Sequence, residues 1–188
     1  MIRINSKFSF RQSFRILVSG MVLCSLYACP FGSRYQLDDH PQYAVDEAYV
    51  GTWNGVAKRF NGDEYPMSVS LGKFSDSLYA VHITGDMPEL KRYRIALNDT
   101  LSGTGFMSLV ADRPVMNLEV LGLNYIVELR WRKNKLSFLP LSDHFTAKYI
   151  KKNKDLRLAL EWHFKTRAYP LYDADFCLKD MVRQTQEQ

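Results

Sequence analysis

Side chains suited to chemistry are few in this 188-residue chain, and they are scattered. His40, His82, His144 and His163 show neither H-x-H nor H-x-x-x-H spacing, the patterns that set two imidazoles on one strand or helix face around a zinc ion. No metal site is expected. Asp143-His144 offers two members of a hydrolytic triad, but no Gly-x-Ser-x-Gly elbow presents a nucleophile to them. Gly103-Thr104-Gly105 lacks a phosphate-loop lysine and a following helix, so it reads as a strand bend or turn. Asp63-Glu64 and the pair Asp173 and Asp175 read as solvated turns. Cys177 lies in Ala174-Asp175-Phe176-Cys177-Leu178, which alternates like a strand, and no local base would ionise its thiol. It is expected to be a buried structural cysteine. Together these residues predict a protein that is not an enzyme, with no catalytic residue and no cofactor.

Cations interleave with aromatics in Lys91-Arg92-Tyr93-Arg94, in Arg130-Trp131-Arg132-Lys133 and between Lys148 and Lys154. Such stretches can meet anionic lipid, glycan or nucleic acid, yet strand alternation also turns cations outward and aromatics inward unaided. The net charge of +5 argues little for nucleic acid. Residues 1–28 hold Arg3, Lys7, Arg11 and Arg15 and no acidic residue, so without them the balance is +1. No nucleic-acid partner is expected.

Those basic residues precede the apolar run from Ile16 to Ala28. Thirteen residues fall short of the roughly 20 that a helix needs to span a bilayer, and the order basic, apolar, small is that of a secretory signal. The run closes on Leu26-Tyr27-Ala28-Cys29, which resembles the lipobox of bacterial lipoproteins. Cys24 is the rival position, but it follows the bulky Leu23 inside the run. The resemblance implies cleavage after residue 28 and acylation of Cys29, with two or three chains giving durable membrane attachment where one alone binds reversibly. Cys177 would then be the single free thiol. The next residues, Pro30-Phe31-Gly32-Ser33-Arg34, lack the acidic cluster that directs some such proteins to the cell surface. A lipid anchor in the outer membrane with a periplasm-facing domain is therefore expected.

Residues 29–45 read as the lipidated cysteine and a tether, 46–183 as one β domain and 184–188 as a tail. Strands are predicted at Tyr49 to Phe60, Tyr65 to Leu71, Leu78 to Thr84, Lys91 to Leu97, Phe106 to Ala111, Asn117 to Leu121, Tyr125 to Trp131 and Leu136 to Leu141, with turn residues between them. The period then becomes helical. A short helix follows Ser142 or Asp143, with Phe145 and Tyr149 four apart. A second covers Leu156 to Lys165, capped by Asn153 or Asp155, with Leu156, Leu160 and His163 or Phe164 facing inward. Phe176 to Val182 is the closing strand. The fold class is mainly β: a single antiparallel up-and-down barrel or sandwich of about eight to nine strands, with a short C-terminal helical segment before the last strand.

Gly51-Thr52-Trp53 opening the first strand, the meander after it and the helical excursion resemble lipocalin-like lipoproteins of the Bacteroidetes type. The resemblance implies that Gly51 allows close packing at a barrel floor plugged by Trp53, with Arg183 or Lys179 as the basic residue on the indole. It also implies an apolar or amphiphilic ligand among Tyr79, Tyr93, Phe106, Tyr125, Trp131 and Phe138; Trp162 is a further aromatic of this kind. An eight-stranded barrel either fills itself or holds one small ligand. The alternative is thus a filled barrel acting as an envelope scaffold with a protein partner. For the anchor, Cys29→Ser is expected to leave the precursor uncleaved and to abolish labelling by a clickable fatty acid; labelling that persists rejects the assignment.

Overall fold

A strand whose apolar residues all lie on one face must turn that face inward, and a meander of such strands removes its own edges by rolling shut. The computed structural model describes residues 32–85, 100–142, 150–167 and 170–184. Among them the elements are β1 (Gly32–Ser33), β2 (Gly51–Lys58), β3 (Glu64–Lys73), β4 (Tyr79–Gly85), β5 (Thr100–Val110), β6 (Arg113–Val120), β7 (Leu123–Arg132), β8 (Lys135–Pro140), α1 (Asn153–Thr166) and β9 (Leu178–Arg183). Strands β2 to β8 pair antiparallel in sequence order, and β9 pairs with both β8 and β2. The result is a closed eight-stranded antiparallel barrel, with β1 as an extra strand on β7. The expected strand at Lys91 to Leu97 and the expected helix after Ser142 lie outside the described residues.

Tight turns support the meander. Ala111-Asp112 and Lys133-Asn134 both take positive φ, the conformation that lets a two-residue turn follow the twist of its strands. Strand β6 accordingly begins at Arg113, four residues before its expected start at Asn117. Strand β5 begins six residues before its expected start at Phe106. Gly103 and Gly105 are part of it because β6 passes too close for side chains. A Cβ on Gly103 would run into the Glu119 carbonyl oxygen and come 2.7 Å from Val120 Cγ2.

The wall has a core on each side. Trp53, Leu71, Tyr79, Val81, Met107, Met116, Leu129, Leu136, Phe138 and Met181 fill the lumen. On the outside, Val110, Val115 and Ile126 are covered by Leu156, Leu160 and Phe164 of α1 and by Leu37 and Leu171. Helix α1 carries the expected inward face, but its start differs. Lys152 occupies the cap position without a side-chain bond, since an ammonium offers the helix N–H groups no acceptor, and the Asn153 amide is engaged elsewhere. It donates to Asp39 Oδ1 at 2.6 Å and accepts from the Gln36 amide.

That contact belongs to a strap. Residues 32–45, read from sequence as tether, lie along the barrel. Ser33 pairs beside Asn124; the Leu37 amide donates to Asn117 Oδ1 at 2.7 Å; Asp38 accepts from Ser108 Oγ at 2.6 Å and from Arg157 Nη2 at 2.7 and 2.8 Å. The strap climbs the wall from the β6–β7 turn to the opposite end, where the Val45 amide donates to the Asp76 carbonyl. Composition concealed this, since its polar residues find partners more than 60 positions away. For the barrel itself, Gly103→Ala is expected to destabilise by about 3 kcal/mol, the upper range for forcing atoms into a packed interior. Urea denaturation of the pair checks this.

Candidate functional site

At one end of the barrel the chain enters β2 under a plug. Trp53 is fully buried and its indole N–H donates to the Tyr49 carbonyl at 2.9 Å. Gly51 there has φ +141°, and a Cβ would sit 2.7 Å from Arg183 Nε. Arg183 can therefore lie across the indole, its guanidinium carbon 5.6 Å from the ring, while it donates to the Val50 carbonyl. Of the two expected basic partners, Arg183 takes the place and Lys179 does not. Trp131 meets Trp53 edge-on at 5.4 Å and Tyr49 at 6.1 Å. The Asp46 amide donates to the Tyr79 hydroxyl at 2.7 Å, sealing the rim.

The aromatics expected to bind a ligand divide in four ways. Tyr79, Tyr125 and Phe138 are on the lumen side, where Tyr79 and Phe138 are buried in the core and Tyr125 packs against it. Trp131 is at the plugged rim, 43% exposed. Phe106 is a correction: it pairs with Asn117 on the outer wall, because Gly105 and Met107 hold the lumen positions opposite Leu118 and Met116. Tyr93 lies outside the described residues. Trp162 is on the exposed side of α1. The five of the six that are described thus do not share one surface. Lumen residues toward the other end, Tyr65, Ile83, Leu101, Tyr125 and Phe176, are only partly buried.

Among the described residues, space of ligand size lies on the outer wall. A cleft of about 820 Å³ opens between the C-terminal turn of α1, the segment 170–172 and strands β6 and β7. Its floor is Glu128, 3% exposed. Arg130 donates to Glu128 Oε1 from Nη2 at 3.0 Å and from Nε at 3.3 Å, Arg113 stands 3.7 Å away, and the Tyr172 hydroxyl donates to Oε2. A buried carboxylate is tolerated only when compensated in this way. Burial first, and then the Glu128 carboxylate, push the Tyr172 hydroxyl well above its ordinary pKa, so it stays protonated as the donor. The Arg113 guanidinium lies 4.4 Å from the Phe164 ring centre and that of Arg130 lies 5.7 Å from Tyr172. Arg167, in a left-handed conformation at the end of α1, adds a third guanidinium to a lining that includes Trp131, Leu171 and Pro170. Burial, reinforced by the charge of Arg113, lowers the pKa of His163 and leaves it neutral near pH 7.

Sequence reading missed this cleft as a site. It read Arg130 as a cation turned outward by strand alternation and gave Glu128 no role. The overlooked signal was Ile126 on the same face, with Val115 and Val110 on its neighbours: apolar residues at outward positions require a cover. Cys177 is buried as expected, and burial pushes its thiol up to about 11. Among the described residues, no three of His, Cys, Asp and Glu are grouped to hold a metal ion, and no helix is long and apolar enough to cross a membrane.

No protein-family model matches the sequence. No curated protein matches it either. Among solved structures the chain is similar to a de novo designed fluorescence-activating β-barrel, with 16% identity, a TM-score of 0.35, and coverage of 52% of this chain and 87% of that one. A likeness at this level carries no argument about what the cleft or lumen holds.

His163 provides a test of the cleft's electrostatics. Its folded pKa lies below the ordinary value of 6.5, so the unfolded chain takes up the proton first. The stability it contributes is complete above about pH 6.5 and is lost as pH falls through the lowered folded value. Urea midpoints between about pH 7.5 and pH 5 should decline less in His163→Gln than in the parent.

Proposed function

We propose that this protein is a lipid-anchored, periplasm-facing protein of the outer membrane that binds a small amphiphilic anion without transforming it. The ligand lies in the outer cleft, and the barrel is the rigid body behind it. The observation carrying this reading is where the space lies: side chains occupy the lumen beneath the plug, while about 820 Å³ lies outside it, between three arginines and an apolar lining. Glu128 already neutralises part of the arginine charge. With Asp112 at the rim, the lining keeps three guanidinium groups against two carboxylates, which favours a ligand of one negative charge. A fork of N–H donors suits a carboxylate, sulfonate or phosphate head, and Trp131, Phe164 and Leu171 suit an apolar body. Binding without catalysis fits the saturation of Glu128, whose oxygens are committed to Arg130, Arg113 and Tyr172 and are not free to move a substrate proton.

A second reading, an interaction module for an envelope protein, is favoured by Leu158 and Trp162, which lie four apart on α1 and are more than half exposed. Native mass spectrometry of the soluble domain, purified from its host without the anchor, separates the two. A stoichiometric small anion released on denaturation supports the ligand reading. An empty domain that also fails to bind anilinonaphthalene sulfonate rejects it in favour of the module. In the first case Arg167→Gln is expected to weaken binding about tenfold, the worth of one charged hydrogen bond, while leaving the urea midpoint unchanged.

A further inference from the structure

We propose that the end of the barrel opposite the Trp53 plug rests on the bilayer surface, with Leu121 and Leu123 dipping among the acyl chains. The inference depends on Cys29 being the lipidated residue, and goes beyond it by fixing which way the domain faces. Gly32 pairs with Tyr125 and Ser33 with Asn124, the third and second residues from the start of β7, so the described chain begins beside that end. The entry point cannot drift along the wall, because the strap behind it is clamped by Asn117, Ser108 and Arg157. Only three residue steps separate Cys29 from Gly32, a reach of about 10 Å at most. The acyl chains and the β6–β7 turn are therefore held together, and a long free linker is excluded.

The turn itself is the independent observation. Leu121 has φ +52° in a two-residue turn completed by Gly122, a position that favours Asn, Asp or Gly and strains a leucine. Leucine in water gains nothing there, yet Leu121 is 64% exposed, with Leu123 beside it also exposed. Across the barrel mouth, the β2–β3 turn carries Phe60, 95% exposed. At the plugged end the equivalent two-residue turns are Ala111-Asp112 and Lys133-Asn134, each with a polar residue in the second position, while the longer β3–β4 turn sets one exposed aromatic, Phe74, among Ser75, Asp76 and Ser77. A lipid surface supplies the apolar surroundings that the leucine turn lacks. It also directs the outer cleft, whose rim includes Asp112, Arg113 and Trp131 near the plugged end, away from the membrane and into the aqueous compartment.

The full chain, expressed with its leader in a Cys177→Ser background, carries one environment-sensitive fluorophore at Leu121→Cys, Phe60→Cys or, as the plugged-end control, Asp76→Cys. The mature proteins are reconstituted in phosphatidylethanolamine–phosphatidylglycerol vesicles containing bromine-labelled acyl chains. Mass spectrometry first reads the acyl chains on Cys29. The expected result is several-fold quenching of the probe at Leu121, weaker quenching at Phe60 and none at Asp76. An acylated protein whose Leu121 probe is as wet as that at Asp76 overturns the orientation alone. A mature chain without acyl mass overturns the anchor, and the orientation with it.

Discussion

The burial of one indole governs this barrel. Trp53 sits where β2, the first barrel strand, must meet β9, the last; its N–H is taken by the nearby Tyr49 carbonyl, and its ring is met by Trp131 and Arg183 from distant parts of the chain. Arg183 both covers the indole and ties the end of β9 to the carbonyl of Val50, so the contact that buries the tryptophan also closes the sheet. Closure leaves the barrel strands without a free edge. It also obliges the floor of the lumen to fill with side chains, since an eight-stranded barrel has little width beyond what they occupy.

Side chains fill the lumen beneath the plug, and the wall's outer face is packed as well. Half of it is buried beneath α1 and the strap, and the polar groups caught there had to be paired. Asn117 serves the Leu37 amide and the Ser108 hydroxyl; Glu128 serves Arg130, Arg113 and Tyr172. Such networks are costly if incomplete, and here they also hold the strap and the segment before β9 in one register. The cleft is the place where this outer packing stops short of filling space, with the arginines that compensate Glu128 on its walls.

The two ends of the barrel thereby differ in character. One is sealed by aromatics and has two-residue turns with a polar second residue, with the cleft beside it. The other receives the N-terminal chain, has a looser lumen and displays Leu121, Leu123 and Phe60. On the proposed reading, an anchor at one end of this rigid body orients the whole of it, and the path of a single strap sets attachment and recognition at opposite ends.

Much of this was legible in the residues. Alternation located most of the strands, the helix face of Leu156, Leu160 and Phe164 was correct, and Gly51 with Trp53 marked the floor. These are local properties: side-chain period, turn chemistry and the steric needs of one glycine act within a few residues. What alternation cannot say is whether the second face of a strand is wet. Phe106 was assigned to the lumen and lies outside; residues 32–45 looked like tether and are clamped; Glu128 drew no notice and, held by Arg130, forms the floor of a cleft. Each outcome depends on partners far away in sequence, and the energy of burying a face or pairing a charge exists only once the barrel has closed and brought those partners into contact.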